Sequence, residues 1–363
     1  MKVAIDVQTT LGQPTGFGFY VSNLASGLEK LTSEIDLVTI KPSSNNDFST
    51  PQRLIWDQFT FPGMARKEGV DIIHQPCFSA PIFYRGPVVV TIHDIISILF
   101  PKNIPFASRM FYSKWMPLSY KKALQVITIS HSTKRDIVKV LKIREDKITV
   151  IPLAVDPKFS SQVGAKKVEA VKKKYKLPAK YILHIGTLEP RKNLDFLIEV
   201  FSEVIKDDNF KDFNLVITGK KGWYYEGLFE KVKKLNLEKR VVFTGYFEEN
   251  DKPALYEGAS LFAFPSLYEG FGLPPLEAMA SGVPVVSSDT SSMPEVVGEA
   301  GILIPPQDKY LWVKSIKRVL GQKTLQDKMK AHNKRQVAKF SWDKTAKATV
   351  GVYHKALEAY GKK

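Results

Sequence analysis

The sequence predicts an α/β protein made of two doubly wound, Rossmann-like domains that face across a cleft. Short apolar runs alternate with helical patterns along the whole chain, and many of these runs end in a polar residue or a glycine. The length of 363 residues also exceeds what a single hydrophobic core usually serves. We place the first domain at residues 1–165, the second at 178–340, and a C-terminal helix that packs on the domains at 341–363.

Runs of apolar residues mark the predicted strands. Near-continuous apolar runs are typical of parallel strands that helices cover on both faces. In the first half of the chain the predicted strands are residues 3–7, 37–40, 71–74, 88–92, 126–129 and 148–151. In the second half they are residues 181–185, 214–218, 241–243, 261–264, 283–287 and 301–303.

Amphipathic patterns between these runs predict the helices. A lysine-rich stretch at 165–177 separates the two halves, and Ser341 is the expected N-cap of the last helix. The other helices of the second half are predicted at 194–205, 226–235, 252–257, 274–280 and from 309 onward. Gly186, Gly219 and Gly245 each follow a predicted strand, where a doubly wound sheet turns its loops toward a ligand.

The formal net charge of +16 suits a phosphorylated ligand or an anionic membrane surface. We expect no nucleic acid as partner, because the sequence has no zinc-ligand spacing, recognition-helix motif or RNP-type signature. A basic nucleic-acid binder is the third alternative. The single cysteine, Cys77, excludes an internal disulfide, and a strand from residue 3 leaves no room for a signal peptide. The expected location is therefore cytoplasmic.

Two glutamates stand eight positions apart, at Glu269 and Glu277, on either side of a glycine-containing turn. Gly270 and Gly272 let the backbone approach a ligand closely, and the helix that follows favours anions at its N-terminus. Carboxylates on both sides of an anion-binding loop suit a ligand that carries hydroxyls as well as phosphates. A nucleotide sugar is such a ligand.

Two cations, Arg191 and Lys192, follow the strand at 181–185 and precede a predicted helix whose expected cap is Asn193. Cations at a helix N-terminus oppose the macrodipole, so this unfavourable placement indicates a functional site. The pair would neutralise a diphosphate and stabilise it as a leaving group. A solvated surface pair is the alternative.

Taken in order, a series of motifs resembles the retaining glycosyltransferases of the GT-B fold that carry a Glu-x7-Glu signature, family GT4. The motifs are Thr15-Gly16-Phe17-Gly18, Thr91-Ile92-His93-Asp94, the segments 128–136 and 150–156, Gly186 to Asn193, Glu269 to Glu277 and Phe340-Ser341-Trp342. The resemblance implies that Glu269 orients the donor sugar and supports charge at the reacting carbon. It also implies that Glu277, expected in the first helical turn, binds the ribose.

The resemblance further implies the roles of the remaining candidates. His93 and Lys192 join Glu269 as catalytic residues, while Asp94 and Gly18 lie on the acceptor side. The donor-binding set is Arg191, Lys192, Glu269, Gly270, Phe271, Gly272, Leu273, Glu277, Gly16, Thr187, Gly245 and Tyr246. A turn glycine at Gly16, a locally satisfied core histidine at His93 and a packing role for Tyr246 are the alternatives.

The chain departs from the family pattern at Thr187 and Phe19, where relatives often have arginine, so Arg191 is expected to take over a phosphate contact. Gly16-Phe17-Gly18 does not continue as a dinucleotide fingerprint, because the third glycine is replaced by Val21. The chain also lacks the Asp-x-Asp pair that holds the metal in the other large glycosyltransferase fold. We therefore expect neither a required metal nor a cofactor.

Between Lys102 and Lys122 the chain alternates basic and aromatic residues. This pattern predicts contact with an anionic membrane surface, and a helix that packs its aromatics inward is the alternative. The resemblance implies transfer of a hexose, mannose from GDP-mannose, to a glycan or lipid-linked acceptor with retention of configuration. A UDP-sugar donor, a sugar-nucleotide epimerase and a non-catalytic binding module remain alternatives.

Overall fold

The protein is described by a computed structural model covering residues 1–12, 16–43, 48–100, 109–222 and 225–361. It forms two compact units. Unit 1 contains residues 1–153 together with 340–363, and unit 2 contains residues 154–339. Each unit has a six-stranded sheet whose strand pairs are all parallel, so the predicted α/β architecture of two Rossmann-like domains is confirmed.

In unit 1 the strand order is β2-β1-β3-β4-β5-β6. The strands are β1 Lys2–Asp6, β2 Asp36–Ile40, β3 Ile72–Gln75, β4 Val88–Ile92, β5 Gln125–Thr128 and β6 Ile148–Val150. The helices are α1 Gly16–Glu29, α2 Thr50–Ile55, α3 Phe61–Lys67, α4 Ile96–Leu99, α5 Met116–Tyr120 and α6 His131–Asp136. Three π-helical turns adjoin these helices, at Trp56–Thr60, Phe111–Trp115 and Ile137–Leu141.

In unit 2 the strand order is β12-β11-β10-β7-β8-β9. The strands are β7 Tyr181–Ile185, β8 Asn214–Thr218, β9 Val241–Gly245, β10 Leu261–Phe264, β11 Val285–Ser288 and β12 Ile302–Ile304. The helices are α7 Ala165–Lys174, α8 Leu194–Val204, α9 Glu226–Lys234, α10 Lys252–Glu257, α11 Leu273–Ala280, α12 Met293–Val297, α13 Lys309–Gly321 and α14 Lys323–Val337.

The C-terminal helix, α15 Trp342–Gly361, belongs to unit 1 and packs along α1. A Cβ atom on Gly27 would lie 2.9 Å from the Cβ of Ala346, so only glycine allows this close packing of the two helices. Thr345 Oγ1 donates to the carbonyl of Pro152 at 2.8 Å, and Tyr353 Oη lies 2.8 Å from Nδ1 of the buried His74. These contacts join the two chain segments of unit 1.

The strand order determines where loops can meet in unit 2. Strands β8 and β9 lie on one side of β7, whereas β10, β11 and β12 lie on the other side. The chain therefore changes direction between β7 and β10, and the loops that leave these two strands start side by side. A doubly wound sheet binds its ligands at such a reversal point.

Candidate active site

The loops after β7 and β10 are joined by backbone and side-chain hydrogen bonds. The amide of Leu267 donates to the carbonyl of Arg191 at 2.9 Å, and Arg191 Nη1 donates to the carbonyl of Tyr268 at 2.6 Å. Asn193 Nδ2 donates to the carbonyls of Pro265 and Pro306 at 3.3 Å and 2.9 Å. Asn193 is the N-cap residue of α8, as expected, although its side chain makes no capping hydrogen bond. It takes a left-handed conformation, with φ of 57°, and its side-chain amide links the loop after β7 to the loops after β10 and β12.

These contacts bring Glu269 against both cations of the predicted pair. Its Oε1 lies 2.6 Å from Lys192 Nζ, and its Oε2 lies 2.9 Å from Arg191 Nη1. The side chain of Glu269 is only 12% exposed. Burial opposes its ionisation, but the charges of Lys192 and Arg191 prevail and lower the pKa of Glu269 to about 2. Burial lowers the pKa of Lys192, an effect that the Glu269 carboxylate opposes.

A second carboxylate completes this group. Glu189 pairs with Arg191 Nη2, a contact that the sequence did not predict. We call Glu189, Arg191, Lys192 and Glu269 the Glu269 cluster. Its two cations and two carboxylates sum to no net charge, so the expected surplus of positive charge at the basic pair is neutralised within the protein.

The loop that carries Glu269 is held by serines that lie further along the sequence. Ser291 Oγ accepts the amide of Glu269 at 2.9 Å, and Ser292 Oγ donates to its carbonyl at 3.0 Å. Gly272 has φ of 118°, and a Cβ there would lie 2.4 Å from Cε of Met293. The backbone from Glu269 to Gly272 is therefore positioned by the segment that leads into α12. Gly270 and Phe271, which lie between them, are buried.

Glu277 lies in the second turn of α11, because this helix begins at Leu273. The expectation of a first-turn position is wrong, so attraction to the helix dipole does not account for this residue. Tyr256 Oη donates to Glu277 Oε2 at 2.8 Å. Burial raises the pKa of Glu277, while the charge of Lys252 on α10 opposes this shift. Glu277 is thus a buried carboxylate oriented by one neighbouring helix.

The other predicted donor-side residues follow β7 and β9. Thr187 is exposed in the loop after β7, and Tyr246 is 53% exposed beside Lys220, whose Nζ lies 5.6 Å from its ring centre. Gly245 accepts the amide of Gly219 at 3.0 Å. A Cβ on Gly219 would lie 1.9 Å from the carbonyl oxygen of Gly186, so glycine is required for these loops to approach. The exposed side chains of Thr187 and Tyr246 leave both residues accessible to a ligand.

The remaining candidates lie in unit 1. His93, in the loop after β4, is buried; its Nε2 donates to the carbonyl of Pro76 at 2.9 Å, and burial lowers its pKa to about 4. Its ring lies edge-on to Phe17 at 4.9 Å, which brings it beside the segment of Gly16 and Gly18. Asp94 accepts the amide of Ile96 at 2.9 Å. His93 is therefore a neutral, locally hydrogen-bonded histidine.

Gly16 and Gly18 differ in environment although both begin α1. Gly18 is buried, whereas Gly16 is exposed and a Cβ on it would meet no atom within 4 Å. Gly16 also has no positive φ, so neither packing nor backbone conformation within the described part of the protein requires glycine there. The preceding Thr15 lies outside the described residues.

The segment between Lys102 and Lys122 is only partly described, since residues 102–108 lie outside the described ranges. In the remainder Phe111 and Tyr120 are buried, as the alternative of inward-packed aromatics expects. The exposed apolar side chains are instead Met110 and Leu118, next to the exposed Lys114. No helix within the described ranges is long and apolar enough to cross a membrane.

A metal ion would need several donors of suitable type close together. Across the described residues no group of three or more histidine, cysteine, aspartate or glutamate side chains is placed to hold one. The carboxylates of the Glu269 cluster are already paired with Arg191 and Lys192.

Comparison with known proteins agrees with this geometry. Residues 166–336 match the family model "Glycosyl transferases group 1", and residues 14–159 match "Glycosyltransferase Family 4". The O-antigen chain mannosyltransferase B of Escherichia coli is 31% identical over 282 residues, which cover 78% of this chain and 74% of that protein.

Solved structures show the same fold. A glycosyltransferase from Rickettsia africae superimposes with a TM-score of 0.75 at 19% identity, covering 98% of both chains. Anabaena Alr3699/HepE, solved in complex with UDP and glucose, has a TM-score of 0.70 at 18% identity, covering 98% of this chain and 99% of that one. The chain therefore belongs to the glycosyl transferases group 1, the GT4-type glycosyltransferases of the GT-B fold.

Proposed function

We propose that the protein is a retaining glycosyltransferase that moves a hexose from a nucleotide sugar to a glycan or lipid-linked acceptor. The observation that carries the proposal is the Glu269 cluster: two cations and two carboxylates at the point where the chain reverses direction in unit 2. A nucleotide sugar presents a diphosphate next to a hydroxyl-rich ring. The Glu269 cluster offers cations to the diphosphate and a carboxylate to the hydroxyls.

The proposed chemistry depends on charge that develops on the leaving diphosphate. Lys192 and Arg191 would donate charge-assisted hydrogen bonds to its oxygens, and the N-terminus of α11 would add its partial positive charge. Glu277 would accept hydrogen bonds from the ribose hydroxyls, since Tyr256 orients it and burial isolates it from water. Glu269 would orient the sugar hydroxyls and support positive charge at the reacting carbon.

Retention of configuration does not require Glu269 to attack the sugar. We propose that the leaving phosphate removes the acceptor's proton on the face from which it departs, so that the new bond forms on that same face. The pKa of about 2 fits this role, because a carboxylate held by two cations is a weak base. We also propose that no cofactor or required metal takes part. His93, neutral at physiological pH, would contribute from unit 1 as a hydrogen-bond partner of the sugar or acceptor.

For the donor we propose GDP-mannose. The support is the Escherichia coli relative, which is named as an O-antigen chain mannosyltransferase. On the same ground we propose that the reaction serves polysaccharide assembly. A UDP-sugar is the second candidate, because Anabaena Alr3699/HepE was solved with UDP and glucose. The exposed Tyr246 and Thr187 are the side chains that we expect to meet the nucleotide.

For the acceptor side we propose an anionic membrane surface as a partner of a cytoplasmic enzyme. Met110 is 70% exposed and Leu118 is 61% exposed, and the exposed Lys114, Lys121 and Lys122 lie close in sequence. Apolar side chains flanked by lysines are typical of surfaces that rest on anionic lipid. Such a surface would bring the enzyme to a lipid-linked acceptor.

Calorimetry with GDP, UDP and their sugars, on the wild type and on Lys192→Ala, tests the donor site. We expect the variant to bind the preferred nucleotide about tenfold to a hundredfold more weakly, since it loses a buried charged hydrogen bond to phosphate. Arg85→Ala, which removes a cation from unit 1, is the matched control and should bind normally. Unchanged affinity in Lys192→Ala would refute the phosphate site.

Product analysis then separates the enzymatic alternatives. Incubation of the wild type with the preferred nucleotide sugar and a glycan acceptor should give a glycoside with the donor's anomeric configuration, visible by NMR. An isomerised sugar formed without acceptor would identify an epimerase. Tight binding of nucleotide sugar without turnover would identify a binding module.

A further inference from the structure

We propose that Glu269 competes with the donor's diphosphate for Lys192 and Arg191, and that the sugar is what draws it away. This inference rests on the proposed function and adds a selection step to it. The site would accept a nucleotide sugar but bind a bare nucleoside diphosphate poorly. After transfer, the carboxylate would return to the cations and help the diphosphate product to leave.

The competition follows from shared atoms. Lys192 Nζ and Arg191 Nη1, the atoms that the phosphate is expected to contact, both lie within 3 Å of one carboxylate, at 2.6 Å and 2.9 Å. Lys192 is only 7% exposed, and its Nζ lies 5.1 Å from the ring centre of Phe264. A phosphate oxygen therefore has little room at this ammonium unless the carboxylate turns aside. Carboxylate and phosphate, both anionic, would also repel each other in this buried place.

The charges of the Glu269 cluster also indicate that Glu269 and a phosphate compete for the two cations. The charges of the four side chains of the Glu269 cluster sum to zero, so the two carboxylates offset the attraction of Arg191 and Lys192 for a bare diphosphate while both stay in place. Glu189 is buried and paired with the far side of Arg191, through Nη2. Glu269 is the carboxylate that spans both cations, so its departure changes the charge seen by a phosphate at each of them.

The proposed movement of the Glu269 carboxylate needs no change in the backbone of its loop. The backbone of Glu269 is held on both sides, at its amide by Ser291 and at its carbonyl by Ser292. Rotation of the side chain alone would carry the carboxylate from the ammonium to a neighbouring sugar hydroxyl. A nucleotide sugar supplies those hydroxyls and so compensates Glu269 for its lost ion pairs. A free nucleoside diphosphate offers no such compensation.

Three ligands test the proposal on the full-length protein: inorganic pyrophosphate, the nucleoside diphosphate and the corresponding nucleotide sugar. Their affinities are measured by calorimetry for wild type, Glu269→Gln and Glu277→Gln. Glutamine keeps the size of each side chain, and each variant replaces one carboxylate by a neutral amide, which makes the second a matched control. We expect Glu269→Gln to bind pyrophosphate and the diphosphate at least about tenfold more tightly than wild type, because the competing carboxylate is gone.

The same variant should not gain affinity for the nucleotide sugar, and Glu277→Gln should not gain affinity for pyrophosphate. Glu269→Asp, which keeps the charge but shortens its reach, should bind pyrophosphate with an affinity between those of wild type and Glu269→Gln. It also serves as the second variant if glutamine impairs folding.

Unchanged or weaker diphosphate binding by folded Glu269→Gln would overturn the competition while leaving the proposed donor site intact. An equal gain in Glu277→Gln would show that net charge alone is responsible, which also overturns it. If the folded wild type bound neither diphosphates nor nucleotide sugars, the proposed function itself would fail, and the competition with it.

Discussion

Each unit has a buried charged cluster at the point where its chain reverses direction in the sheet, and the two clusters differ in charge and access. In unit 1 the reversal lies between β1 and β3, where Arg53 binds Asp6 and Asp57, and Gln75 donates to both carboxylates. We call these four residues the Arg53 cluster. Arg53 is 4% exposed and Asp57 is 0% exposed, so this group is closed to ligands, whereas the Glu269 cluster retains partial exposure.

The difference shows how one position in a fold can serve structure or binding. The Arg53 cluster has one cation for two carboxylates, and Ser79 Oγ also donates to Asp57 at 2.6 Å. The Glu269 cluster has two cations for two carboxylates and lies on loops beside a helix N-terminus. We interpret the first as a device that holds β1, β3 and α2 together, and the second as a ligand site.

The largest expected effect tests the closed cluster. Arg53→Met should lower the free energy of unfolding by about 3–5 kcal/mol, because two buried carboxylates lose their counterion. Arg191→Met in unit 2 should cost clearly less, since Lys192 still pairs with Glu269 and the site is partly exposed. Chemical denaturation followed by circular dichroism measures both. Equal losses would contradict the distinction between a closed and an open cluster.

For catalysis we expect the opposite: a substitution in the Glu269 cluster should have the larger effect on kcat, and one in the Arg53 cluster the smaller. Glu269→Gln should lower kcat by about 10²–10³-fold, as expected when a preorganised charge at the reacting centre is removed. Nucleotide binding should persist, because the phosphate cations remain. Asp57→Asn in the Arg53 cluster should leave kcat near wild type at a temperature where the protein is folded. Steady-state kinetics with calorimetry decides this, and equal loss of transfer and binding in Glu269→Gln would contradict the role given to Glu269.

The dependence of stability on pH should also differ in sign between the clusters. Burial raises the pKa of Asp57 to about 7, despite Arg53, so its contribution to stability is present below the ordinary pKa and is lost as pH rises toward 7. For Glu269, with a pKa of about 2, the contribution is present above the ordinary pKa and is lost only as pH falls toward 2.

Hydrogen exchange resolves the two units separately. Buried, neutral His74 and His93, whose pKa values are lowered to about 3 and about 4, add to stability as pH rises, and they do so equally in wild type and in Asp57→Asn. The difference in protection of β1 and β3 between Asp57→Asn and wild type should therefore grow by about 1 kcal/mol per pH unit from about pH 5 to 7, because only the wild type has the raised pKa of Asp57. The variant Glu269→Gln should follow the wild-type profile. A difference that does not change with pH would assign the proton to another group.

The sequence predicted the framework of the site better than its contacts. The strands at 181–185, 214–218 and 261–264 agree with the structure residue for residue, because fully buried parallel strands read as continuous apolar runs. Glu269, Arg191 and Lys192 stood out because they follow such strands at the edge where ligands bind. Their partners did not stand out, since Ser291 and Ser292 are distant in sequence and Glu189 looked like an ordinary loop residue.

The sequence also misjudged local geometry where long-range contacts decide it. Asn193 is the N-cap residue of α8, as predicted, but its side chain donates to two carbonyls from other loops instead of capping the helix. Glu277 looked like a first-turn carboxylate, but α11 begins early enough to place it in the second turn, where Tyr256 binds it. A cap or a dipole can be inferred from neighbours in the chain, whereas these partners come from elements that only the fold brings near.

The smallest expected effect concerns that tyrosine and separates the two glutamates of the site. Tyr256→Phe removes the hydroxyl that orients Glu277 while leaving both the carboxylate and the Glu269 cluster in place. Affinity for the nucleoside diphosphate should fall by about 3- to 10-fold, the effect of one weakened hydrogen bond. Affinity for inorganic pyrophosphate, which has no ribose, should not change. Calorimetry with both ligands distinguishes these effects, because a parallel loss would mean that Tyr256 supports the phosphate site as well. A selective loss would instead show that Glu277 acts on the ribose independently of Glu269.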